Sequence, residues 1–104
     1  MSPSDMLGRI RVLVDERKYI ITTHAIIRMS DRDVTAKDLI GLIVNGEIIE
    51  EYPNRKPCSA ALMLGFISGK PCHAVVAICG DRLSVITVYW PDDECWADNR
   101  TRRS

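Results

Sequence analysis

Near the start of the chain, apolar side chains fall at Met6, Leu7, Ile10, Leu13 and Val14, a spacing that marks one face of a helix. Ser4 stands where an N-cap is expected, so a first helix within residues 1–18 should pack on the core. Lys18 to Thr22, rich in Tyr, Ile and Thr, predicts a short strand able to join a sheet edge. Thr23 is then the expected N-cap of a second helix that places His24 in its first turn. Thr35-Ala36-Lys37-Asp38 has the form of a capping box before Leu39, Ile40, Leu42 and Ile43. With Asn45-Gly46 as the stop, this predicts a third helix from about Ala36 to Asn45.

Beyond Gly46 the pattern changes from helical to strand-like. Glu47 to Tyr52, Cys58 to Ile67, Cys72 to Cys79 and Leu83 to Trp90 read as four strands, separated by Pro- and Gly-containing links that favour hairpins. The last two are apolar at nearly every position, which predicts central strands covered by helices on at least one face. Helices followed by strands give an α+β domain: two or three helices on a four-stranded, mainly antiparallel sheet. Asp92 or Asp93 is expected to open a short helical turn bearing Trp96, and residues 97–104 to form a mobile tail.

At 104 residues the chain has room for one domain with one core. The longest apolar run, Ala74 to Cys79, is far short of a membrane span, and no signal-peptide pattern opens the chain. A cytoplasmic location is therefore expected. Cys58, Cys72, Cys79 and Cys95 form no Cys-x-x-Cys pair and are expected as reduced thiols. Fourteen basic side chains balance fourteen acidic ones, which excludes polyanion binding driven by bulk charge, so any such role must be local.

The local candidate is the second helix. His24 and Arg28 lie at i, i+4, about 6 Å apart at Cβ, and Arg32 extends the stripe by a turn, a face able to hold a phosphate. A structural role competes with this one: His24 can bond a nearby carboxylate or carbonyl, and the arginines can pair with Asp31, Asp33 or the acidic middle segment. His73 opens an apolar strand on the face of Val75, Ala77 and Cys79, where a buried, bonded histidine is the expectation. Tyr89, Trp90 and Trp96 can stack on bases or seal the core. Arg55 and Lys56, in the Pro53 to Pro57 loop, are a basic pair able to contact a polyanion. Zinc at Cys72, His73 and Cys79 is disfavoured, since Cys72 and His73 point to opposite faces of one strand. Cys95 has no neighbouring base to activate it, and no glycine-rich phosphate loop is present, so neither metal nor cofactor is expected.

The run His-Ala-x-x-Arg-Met-x-x-Arg-x-Val-Thr at 24–35 resembles the opening motif of a bacterial family catalogued as domain of unknown function 4258. Ile48-Ile49-Glu50-Glu51-Tyr52-Pro53, His73-Ala74-Val75-Val76 and Ile86-Thr87-Val88-Tyr89-Trp90-Pro91-Asp92 are similar to the rest of its pattern, in order. That family is usually grouped with the RelE and barnase-like ribonuclease toxins, so the resemblance implies their fold and, with it, cleavage of RNA phosphodiesters without a metal. An inhibitory antitoxin protein would be the implied partner.

Such cleavage needs a base for the 2′-hydroxyl, cations for the pentavalent phosphate and an acid for the 5′ oxygen. In this reading His24 transfers protons, Arg28 and Arg32 stabilise phosphate charge, His73 and Tyr89 assist, and Arg55 with Lys56 binds RNA. A barnase-like glutamate base is not evident, because Glu47, Glu50 and Glu51 cluster away from His24 in sequence. The alternative is a noncatalytic module that uses the same face for an anionic ligand or a protein partner. A third reading is a homodimer paired through the Glu47 to Tyr52 strand.

Overall fold

The computed structural model describes residues 3–91, 96–97 and 101–102. Helix α1 (Pro3–Asp15) buries Met6, Ile10, Leu13 and Val14, with Leu7 half-buried, the face its periodicity predicts. It begins at Pro3, so Ser4 lies within the helix and is not its cap. Proline suits a first helical position because the N–H it lacks would have no partner there.

Helix α2 (Thr23–Asp31) is capped by Thr22, one residue earlier than expected. The Thr22 hydroxyl accepts the Ala25 N–H at 3.1 Å and donates to the Ile86 carbonyl at 3.2 Å, tying the helix start to the sheet. Thr22→Ala should lower stability by about 1–2 kcal/mol through the loss of both bonds, read as a shifted urea midpoint at unchanged slope. Helix α3 (Ala36–Asn45) follows the sequence pattern closely, with the Thr35–Asp38 capping box formed in both directions.

The main sheet has five strands and not the four expected. Its order is β1 (Tyr19–Ile21), β5 (Arg82–Tyr89), β4 (Lys70–Cys79), β3 (Ser59–Ile67), β2 (Glu47–Tyr52). Strands β2 to β5 are antiparallel, whereas β1 runs parallel to β5 and makes the sheet mixed. The short edge strand expected at Lys18 to Thr22 forms as β1, with the flanking Lys18 and Thr22 bonded to Leu83 and Val85, and long-range pairing sets its parallel direction. Trp96–Ala97 (β6) pairs with Thr101–Arg102 (β7) in a separate two-stranded sheet. This replaces the helical turn expected around Trp96 and part of the expected mobile tail. Residues 92–95, with Asp92, Asp93 and Cys95, lie outside the described residues.

All three helices cover one face of the sheet. Ala25, Met29, Leu39, Leu42 and Ile43 meet Ala61, Met63, Ala74, Val76, Leu83, Val85 and Val88 in one core. On the opposite face Ala60, Leu62, Leu64, His73 and Ala77 are also buried.

Two irregularities reorient side chains. In β5 Val76 pairs with Val85 but Val75 with Thr87, leaving Ile86 as an extra residue. This bulge puts Val85 and Val88 on the helix side, three residues apart, and turns Tyr89 to the other face. In β2 the shift between Ile48 and Glu50 likewise sends Glu47, Glu50 and Tyr52 away from the helices, opposite Leu64, Leu62 and Ala60.

The expectation of reduced thiols fails for two of the four cysteines: Cys58 and Cys79 form a disulfide with Cα atoms 5.3 Å apart. The β3–β4 register, ending at Ser59 opposite Ile78, sets them face to face one position beyond the ladder. Their 21-residue separation conceals this in the sequence.

Candidate functional site

Residues singled out from the sequence fall at three separate places. The first is the outer surface of α2, where Ala25 and Met29 face the core and leave His24, Ile26, Ile27 and Arg28 exposed. His24 and Arg28 lie one turn apart on this surface. Arg32 departs from the expected stripe. It is the C-cap, with non-helical backbone, half-buried, and its charge acts on the Cys72 thiol beneath the helix layer. The only ion pair with both partners among the described residues is Lys18 with Glu16, at 3.8 Å. Among the described residues no acid forms an ion pair with His24, Arg28 or Arg32.

The second place is the sheet face opposite the helices. His73 is fully buried, its Nδ1 3.2 Å from the Tyr89 hydroxyl, with the rings edge to face at 5.2 Å. Register extends this pair into a row across four strands: Glu47, Leu64, His73, Tyr89. In the adjacent rows Glu50 accepts a hydrogen bond from the Tyr52 hydroxyl. Glu47, Glu50 and Tyr52 thus share a face with His73 and Tyr89, a grouping the sequence reading missed. Alternation alone would put Tyr89 with Leu83 and Val85, and only the β5 bulge reverses it. All five side chains are engaged in polar or ring contacts.

The third place is the β2–β3 loop, where Arg55 and Lys56 are exposed and Arg55 donates to the Cys58 carbonyl at 3.1 Å. Ser59 starts β3 beside this loop and Leu64 pairs with His73. Five residues at about 3.3 Å each separate Ser59 from Leu64 along that strand. The loop and the His73–Tyr89 pair cannot grip one phosphate. His24 stands on the helix side of the sheet and His73 on the other, so the two histidines do not face each other. Trp90 is half-buried against the core, whereas the Trp96 side chain lies outside the described residues.

Cys72 faces the helices, His73 the opposite side, and Cys79 is bonded to Cys58, so the zinc set weighed from the sequence is not assembled. Burial pushes the Cys72 thiol up to about 12, with the Arg32 charge pulling the other way. The folded state thus favours the protonated thiol. That contribution is complete below the ordinary value of 9.0 and is lost as pH rises through about 12. Native protein should resist alkylation at Cys72 by iodoacetamide at neutral pH, whereas urea-unfolded protein should react fully, as read by mass spectrometry.

A family model described as a domain of unknown function, DUF4258, matches residues 21–90. The chain belongs to the DUF4258 family. The matched segment runs from the end of β1 through β5 and contains α2, the His73–Tyr89 pair and the Arg55–Lys56 loop, leaving all of α1 and the β6–β7 pair outside. No curated protein and no solved structure matches the chain. No helix among the described residues is long and apolar enough to cross a membrane.

Proposed function

We propose that the protein is a metal-independent ribonuclease of RelE toxin type, acting in the cytoplasm and held in check by an inhibitory protein partner. The carrying observation is the α2 surface: His24 and Arg28 are exposed one turn apart, and no acid among the described residues forms an ion pair with them. An imidazole can move the proton of the 2′-hydroxyl while a guanidinium beside it offers paired donors and fixed charge to the phosphate. Arg32, at the end of the same helix, adds positive potential, and Arg55 with Lys56 contacts the RNA further along.

A second reading is favoured by one specific feature. His73 has no exposed surface and faces away from His24, so it does not supply a second proton-transfer group beside His24. In that reading the same α2 surface binds an anionic ligand or protein segment without chemistry.

Induced expression in growing bacteria, together with incubation of purified protein and bulk RNA in EDTA, separates the two. The ribonuclease reading expects growth arrest and shortened RNA. Binding of a short single-stranded RNA, by fluorescence anisotropy, with neither arrest nor cleavage would leave the binding module.

A further inference from the structure

We infer that the Cys58–Cys79 disulfide is a thiol-controlled latch on the basic β2–β3 loop rather than a staple of the fold. The hairpin it joins is already complete: β3 and β4 pair continuously from Ser59–Ile78 to Ile67–Lys70, and both strands lie inside the sheet. The bond sits one residue past the open end of the β3–β4 ladder, so removing it takes no partner from any position of that ladder.

What the bond does hold is the segment outside the sheet. Residues 53–57 are all exposed, and their remaining ties are local. Ser59 donates to the Pro53 carbonyl at 2.9 Å, and Arg55 bonds within the loop to Tyr52 at 3.3 Å and to Cys58 at 3.1 Å. The disulfide links this loop to the Gly80 turn, whose carbonyl accepts from Arg9 of α1 at 3.3 Å. Pro53 and Ser59 on one side and Ile78 and Gly80 on the other also wall a cavity of about 690 Å³ under α1. One covalent bond thus joins the loop that carries Arg55 and Lys56 to the turn whose Gly80 helps wall this cavity.

Access favours the same role. Cys79 is exposed and Cys58 half-exposed, whereas Cys72 is buried with its thiol held protonated, so it is a poor competitor for exchange. A cellular dithiol, or two molecules of a monothiol, attacks a sulfur through a mixed disulfide. It delivers two electrons and two protons to Cys58 and Cys79 and leaves as its own disulfide.

The test uses the full chain, purified without reductant and then treated with or without dithiothreitol. Non-reducing peptide mapping should find Cys58 linked to Cys79. Trypsin cuts after Arg55 but not at Lys56, which precedes proline, and reduction should speed cleavage there at least about fivefold by local opening. Circular dichroism and amide protection of β3 and β4 should not change. Cys58→Ser and Cys79→Ser should each match the reduced protein without any reductant. The inference is overturned by a linkage to Cys95 or no linkage at all, by equal cleavage in both states, or by loss of β3–β4 protection on reduction, which would make the bond a staple.

Discussion

His24→Ala should lower the rate of RNA cleavage by roughly 100- to 10,000-fold, the range for removing a positioned proton-transfer group. Because His24 is exposed and makes no packing contact with the core, its melting temperature should stay within about 2 °C of wild type, as for most surface substitutions. Binding of an uncleavable 2′-deoxy analogue should also persist. Arg28→Ala should behave differently. Loss of a fixed charge beside the phosphate weakens both binding and turnover, by roughly 100-fold or more in rate, and Arg28→Lys should recover only part, since an ammonium cannot offer paired planar donors. Single-turnover cleavage in EDTA and anisotropy with the deoxy analogue separate the two effects. Full activity in both variants would remove α2 from the chemistry.

Gly46→Ala should be the most damaging small substitution in the chain. A methyl group there meets two backbone carbonyl oxygens, that of Leu42 and, at 2.7 Å, that of Leu64. Neither can yield easily. The Leu42 oxygen accepts the Gly46 N–H at the end of α3, and Leu64 is paired to β2 on one side and β4 on the other. The demand is steric and not conformational, for φ at Gly46 is −82°, open to any residue. We expect a cost of about 3 kcal/mol or more, which in a domain of this size lowers the melting temperature by about 10–20 °C. Gly41→Ala is the control: nothing lies within 4 Å of the added carbon, and alanine inside α3 should stabilise by about 0.5–1 kcal/mol. If Gly46→Ala melts with wild type, α3 and β3 do not approach as closely as described.

Gly46 also illustrates how a correct reading can have a different cause. Asn45-Gly46 was legible as the end of α3, yet the residue is glycine because two backbones crowd it, not because the helix stops in a left-handed turn. The α2 surface was half legible. Spacing placed His24 and Arg28 together, but Arg32 follows the last helical residue, half-buried with non-helical backbone, and leaves the stripe. For the far sheet face, the pairing of His73 with Tyr89 depends on one extra residue at Ile86, and no local pattern announces it. The glutamates of β2 join that face through a second irregularity, between Ile48 and Glu50.

By itself, the sequence determined the three helices to within a few residues, the four long strands and the α+β order. Periodicity and capping act over three or four residues and so are written locally. Only the tertiary structure decided the parallel direction of edge strand β1, the side to which Tyr89 and Glu50 point, the separation of His24 from His73, and the meeting of Cys58 with Cys79. Each of these depends on the register between strands distant in sequence. A one-residue shift there reverses every side chain beyond it, and the energy that selects one register is shared across the whole core.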